Sequence, residues 1–220
     1  MSEDRHCARC GAPGAGSPSL DGLCPACLLG SGLADQILAA PGVRARVLTL
    51  LGQGPSTVAY LGEDADNPST LVVVKRMTPS PDVLDVMTRL EALRARSLPC
   101  VHRHIARVLD LGFHDGHVLA VTEFWPGIPI TRFIEQFGDD SADVLWSQAR
   151  SALESGHAAG LVHGSVKPTN LLVAHTAHGP LLKMLDFGHE HLLGRRHGES
   201  IDPADDGRAL ESLRLAALGL

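Results

Sequence analysis

The stretch Gly160-Leu161-Val162-His163-Gly164-Ser165-Val166-Lys167-Pro168-Thr169-Asn170-Leu171-Leu172-Val173, followed by Asp186-Phe187-Gly188, constrains this chain more than any other. An apolar approach leads into a polar loop and then into a short apolar β run. His163, Lys167 and Asn170 lie at close, uneven intervals. A helix face repeats every three or four residues, so this spacing suits a loop whose side chains converge on one ligand. After a polar break, Leu181-Leu182-Lys183-Met184-Leu185 reads as a second buried strand that ends in Asp186. An Asn at one hairpin end and an Asp at the other can share a hard cation such as Mg²⁺, which prefers oxygen ligands. Lys167 beside them can hold phosphate.

These residues resemble the protein kinase family. The loop is similar to the kinase catalytic loop His-Arg-Asp-Leu-Lys-Pro-x-Asn, and Asp186-Phe187-Gly188 is similar to the family's metal-binding Asp-Phe-Gly. The pattern departs at two positions: Gly164 stands at its Arg, and Ser165 stands at its catalytic Asp. That Asp accepts the substrate hydroxyl proton, and a Ser hydroxyl at neutral pH cannot. A positioned general base contributes about 10²–10⁴ in rate, or roughly 3–5 kcal/mol of barrier. Metal and nucleotide binding do not require it. The resemblance spans residues 45–218. It implies an α+β, two-lobed kinase-like fold, with a β-rich small lobe over 46–124 and a partial helical large lobe over 125–220. It also implies ATP and Mg²⁺ as ligands and a protein as substrate or partner.

The small-lobe segments read consistently with that expectation. Val47 to Leu51 and Val58 to Gly62 are strands flanking Gly52-Gln53-Gly54-Pro55-Ser56-Thr57. A glycine-bearing hairpin lets backbone amides approach phosphates, although any tight hairpin also uses glycine. The kinase pattern has a third Gly where Thr57 sits and a Val where Ala59 sits, and Pro55 removes one amide donor. These departures predict a weakened nucleotide lid. Leu71-Val72-Val73-Val74-Lys75 resembles the family's Val-Ala-x-Lys strand. Lys75 is therefore read as the phosphate-binding Lys, with a sheet-edge gatekeeper as the bland alternative. Such a Lys needs a carboxylate partner. Glu91, on a helix expected over 79–98, is the candidate, with a solvated surface Glu as the alternative. Residues 105–112 and 117–124 form a predicted strand pair around Asp115-Gly116. By resemblance, Thr122 is the gatekeeper, and Glu123 to Trp125 form the hinge whose backbone bonds adenine.

Ahead of these lies Cys7-x-x-Cys10-Gly11 … Cys24-Pro25-x-Cys27. Two such pairs can complete a tetrahedral S₄ site, which favours Zn²⁺; four unliganded thiols are the alternative. So short a segment has no apolar core of its own, so the metal would drive its folding. Residues 1–32 resemble the zinc-ribbon modules that precede some bacterial serine/threonine kinases. Only Arg5 and Arg9 are basic there, so no nucleic-acid stripe is present. Residues 33–45 read as a linker, with a short helix over 33–40 stopped by Pro41-Gly42.

A helix is expected over 129–137, a longer one from N-cap Ser141 to about Ala159, and a last one from Asp205 to Leu220. Trp146 and Leu153 read as core, and His163 as a structural histidine packed beneath the loop. The Ala-Pro-Glu that closes a kinase activation segment is absent, and Ser200 is the only hydroxyl residue between Asp186 and Asp206. His189, His191 and His197 lack regular ligand spacing and are not read as a metal site, and Cys100 is assigned no role. The formal net charge of −6 argues against a dominant attraction to nucleic acid. No apolar run is long enough for a membrane helix, and the charged N-terminus lacks a signal core, so the expected setting is the cytoplasm. The leading expectation is an Mg-ATP-binding kinase-like protein that has lost most phosphotransfer. The alternatives are an active serine/threonine kinase and a non-enzymatic zinc-ribbon interaction module.

Overall fold

The computed structural model describes residues 37–40, 43–79, 85–138, 140–193 and 202–217. They divide into two compact units. The first comprises the described residues up to 78 together with 112–121, and the second comprises 79–111 together with those from 122 onward.

The first unit is built on antiparallel strands. β1 (Ile37–Ala40), β2 (Val43–Gln53), β3 (Thr57–Asp64) and β4 (Leu71–Met77) pair in sequence order. β6 (His117–Glu123) and β5 (Val108–His114) complete a six-stranded sheet in the order β1-β2-β3-β4-β6-β5. Alternation sets the buried face: Val58 and Tyr60 on β3, and Val72 and Val74 on β4, point inward. Val47, Val58 and Tyr60 form a core cluster against which Leu38 and Leu50 pack. Two register shifts in β2, between Val47 and Thr49 and between Leu50 and Gly52, bend it where the glycine hairpin begins.

The connector differs from the sequence reading. The expected helix over 33–40 is, in its described part, strand β1, with Ile37 opposite Arg46 and Ala40 opposite Val43. Pairing with a long, well-anchored neighbour outweighs a few residues of weak helix propensity, because an isolated helix that short is marginal in water.

In the second unit, α1 (Val86–Ser97) is capped by Asp85, whose side chain accepts the Thr88 N–H, and carries Arg94 and Arg96 in its last turn. Leu90 and Leu93 are buried, whereas Met87 is 49% exposed. β7 (Ile128–Pro129), α2 (Ile130–Phe137) and α3 (Ala142–Ala158) follow. Ser141 holds the cap position of α3 without a side-chain cap bond; it contributes its carbonyl to Leu145 N–H. β8 (Leu171–Thr176) and β9 (Gly179–Met184) form a hairpin with β7 at its edge. α4 (His189–Leu193) and α5 (Pro203–Ala217) complete the described elements. Trp146 and Leu153 on α3 are core, as the sequence indicates. No helix among the described residues is long and apolar enough to cross a membrane.

Candidate functional site

In the first unit, cross-strand pairing places Gly52 opposite Ala59 and Ala59 opposite Lys75. Directly paired residues share a face, so Lys75 stands beside two residues that leave space around it, and a Cβ on Gly52 would meet nothing within 4 Å. Ala59, a departure from the kinase pattern, thus keeps the row open. The hairpin itself has few free donors. Gly54 N–H closes the turn on Thr57 O at 2.7 Å, and Pro55 has no N–H.

In the second unit, the polar loop is held by its own backbone and by one buried carboxylate. Asp206, near the N-terminus of α5, is 2% exposed. Its Oδ2 accepts His163 N–H and its Oδ1 accepts Gly164 N–H, both at 2.8 Å. His157 Nε2, from the end of α3, lies 2.9 Å from the same Oδ2. Gly164 has φ 74, in the left-handed region where a Cβ costs roughly 1–2 kcal/mol. Glycine at the pattern's Arg position therefore fits the local backbone.

His163 is fully buried, with its ring 4.9 Å from the Phe187 ring. Its Nδ1 accepts Ser165 N–H at 3.1 Å. Burial depresses its pKa, opposed by the charges of Asp206 and Asp186. Ser165 O in turn accepts Asn170 Nδ2 at 3.0 Å, and Asn170 N–H closes the 3-10 turn Pro168–Asn170 on Lys167 O at 2.9 Å. No bond in this set uses the Ser165 side chain. Lys167 is exposed.

Asn170 is 6% exposed. Leu171 pairs with Met184, and Leu185 N–H donates to Asn170 O at 2.8 Å, so Asn170 and Asp186 sit together at one end of the β8–β9 hairpin. The donation from Asn170 Nδ2 to Ser165 turns its amide oxygen into the atom available for a cation. With the Asp186 carboxylate, this gives a hard-oxygen donor set that fits Mg²⁺. Asp186 has φ 69, a left-handed conformation rare outside glycine. Its Oδ1 lies 3.5 Å from Nδ1 of His189, which is buried. The sequence reading did not anticipate that contact, because it considered His189 only together with His191 and His197 as a metal cluster. Phe187 packs against Gly156 of α3, where an added Cβ would come within 2.3 Å of its ring.

The expected hinge residues also lie in this unit. Thr122 is buried, and Glu123 and Trp125 are half-buried. Glu91 is exposed on α1; the ion pair that fixes this helix instead runs from Arg94 to Asp110 at 2.9 Å, backed by Arg94 donation to Leu111 O. Arg96 donates to Gly160 O at 3.1 Å. Cys7, Cys10, Cys24 and Cys27 lie outside the described residues.

Sequence reasoning missed Asp206 and His157. Asp205-Asp206 at a helix start reads equally well as ordinary dipole complementation, and only the fold shows that one of the two is buried beneath the loop.

Four similarities bear on these sites. The family profile described as the protein kinase domain matches residues 45–202. A probable serine/threonine-protein kinase, PknB of Lactococcus lactis, is 27% identical over 66% of this chain and 23% of its own length. The serine/threonine-protein kinase PrkC of Bacillus subtilis is 27% identical over 80% of this chain and 29% of its own length. The match thus spans less than a third of the length of these relatives. Among solved structures, a double mutant of the Mycobacterium tuberculosis PknI kinase domain superposes with a TM-score of 0.65 at 21% identity, covering 82% of this chain and 76% of that one.

Proposed function

This chain belongs to the protein kinase family, and from that premise we propose that it binds Mg-ATP through a kinase domain whose phosphotransfer is strongly weakened, and that it acts in signalling or regulation. The observation that carries the reading is a catalytic loop fully tied down by Asp206, His163 and Asn170 while residue 165 presents a hydroxyl. Lys75, in a row with Gly52, offers a cation to phosphate, and the adenine is assigned to the backbone of Glu123 to Trp125. Asn170 and Asp186 would hold Mg²⁺, which when bound neutralises triphosphate charge. Lys167 stabilises a transferring phosphate, and Ser165 holds no proton acceptor for a substrate hydroxyl.

Binding should appear as a rise in melting temperature with Mg-ATP, since a ligand at 100 times its Kd stabilises the folded state by about 2.7 kcal/mol. The rise should vanish in Lys75→Ala and Asp186→Ala; no shift at millimolar nucleotide refutes the reading. Because the loop geometry does not depend on the residue 165 side chain, Ser165→Asp should raise phosphate transfer to a generic protein substrate by about 10²-fold or more. The similarity to proteins named as serine/threonine kinases favours a second reading, an active serine/threonine kinase. It predicts wild-type transfer abolished by Asp186→Ala and little further gain from Ser165→Asp.

We also propose that Cys7, Cys10, Cys24 and Cys27 hold one structural Zn²⁺, on the strength of their paired spacing. Metal analysis should find about one zinc per chain, lost in Cys24→Ser. Low-potential surroundings that keep such thiols reduced suit a cytoplasmic setting.

A further inference from the structure

Lys183, on β9 opposite Leu172, lies three residues before Asp186. Its ammonium pairs with Glu123 Oε1 and lies 5.3 Å from the centroid of the Trp125 ring. The same Glu123 oxygen accepts Arg107 N–H at 2.9 Å, and Glu123 N–H donates to Arg107 O at 3.0 Å. The Lys183 side chain is only 13% exposed. The Glu123 side chain is 31% exposed, so the pair is half-buried, and with an aromatic face beneath the cation it is screened less than a fully exposed ion pair. One lysine thus grips both ends of the Glu123-to-Trp125 segment. Its own strand ends at Met184, two residues before Asp186, and the paired strand begins beside Asn170. The Gly127 backbone is crowded into the same corner, where an added Cβ would sit 3.0 Å from both the Leu172 side chain and the Trp125 ring.

We infer that Lys183 is a positioning residue for the nucleobase: through Glu123 and Trp125 it fixes the backbone that receives adenine, and it ties that backbone to the hairpin carrying the metal ligands. The inference rests on the assignment of Glu123 to Trp125 to the adenine. It requires a charge at position 183, not merely an apolar stem, so it separates from a packing role.

Calorimetric titration of wild type, Lys183→Met and Lys183→Arg with Mg-ATP and with magnesium tripolyphosphate, which lacks the base, tests it. The expected result is a loss of about tenfold or more in ATP affinity for Lys183→Met, unchanged tripolyphosphate affinity, and recovery in Lys183→Arg. In a Trp146→Phe background Trp125 is the only tryptophan, and its emission should shift in Lys183→Met and return in Lys183→Arg. If Lys183→Met does not fold by circular dichroism, Glu123→Gln breaks the same pair from the other side and should give the same split. A wild type that binds no ATP overturns both this inference and the nucleotide reading. A wild type that binds ATP, with a Lys183→Met affinity equal to it, overturns this inference alone. An equal loss for ATP and tripolyphosphate assigns Lys183 to structure only and also overturns it.

Discussion

Asp206 shows how much can depend on one carboxylate. Two backbone N–H donors and one imidazole converge on it in a site closed to water, and the loop they belong to carries Ser165, Lys167 and Asn170. Hydrogen bonds to a charged group contribute roughly 1.5–3 kcal/mol each, and a buried donor left without its acceptor is costly. Asn at this position offers one acceptor oxygen and turns an NH₂ group toward existing donors. Asp206→Asn should therefore destabilise the protein by about 2–4 kcal/mol, read as a lower midpoint in urea. It should also weaken Mg-ATP binding, because the loop that leads to Asn170 loses its anchor at His163 and Gly164. Unchanged stability in this variant would mean that the loop is held elsewhere.

At the level of elements, the junction of α3 with the Asp186-Phe187-Gly188 turn decides where that turn sits. Gly156 removes a side chain from α3 at the point where the Phe187 ring packs. Ala is intrinsically better than Gly in a helix by about 1 kcal/mol. Here, however, its Cβ would sit 2.3 Å from an aromatic carbon, and overpacking of a closed core costs about 1–3 kcal/mol or more. The second effect wins, so Gly156→Ala should lower the melting temperature and reduce Mg-ATP affinity by displacing Phe187 from His163. A rise in melting temperature would show that the helix relaxes around the new methyl group. Gly188 is held to glycine for two reasons, a φ of 75 and the approach of Leu93 from α1.

For the molecule as a whole, buried imidazoles set the acid limit. Burial lowers the pKa of both His163 and His104 below the ordinary value of about 6.5. His104 donates Nδ1–H to Leu182 O at 3.1 Å, and Arg103, His102 and Lys183 add repulsion to its charged form. Their folded-state pKa values are depressed, so below about pH 6.5 the unfolded chain takes up protons that the folded chain refuses. Stability is then full above that pH and falls as the pH drops toward the folded values. Urea midpoints between pH 8 and 5 should decline chiefly below about 6.5, and His104→Gln should flatten part of the decline. A flat profile would show that both imidazoles take up protons without cost.

The family, the loop and the Asp186-Phe187-Gly188 turn were legible in the sequence, because their chemistry needs particular residue types at fixed spacing within a few residues. So were the strands from β2 to β6 and the helices α1 to α3 and α5, since alternation and helical periodicity report burial directly. What only the tertiary structure decided are the contacts between residues far apart in the chain. β1 replaced a short helix because a neighbouring strand was there to pair with. Asp206 proved to be the loop's anchor, and Lys183 the partner of Glu123, because folding brought together residues that carry no mark of each other in the sequence. Local pattern fixes the element and the motif, whereas the partner of a buried charge depends on which elements pack against it.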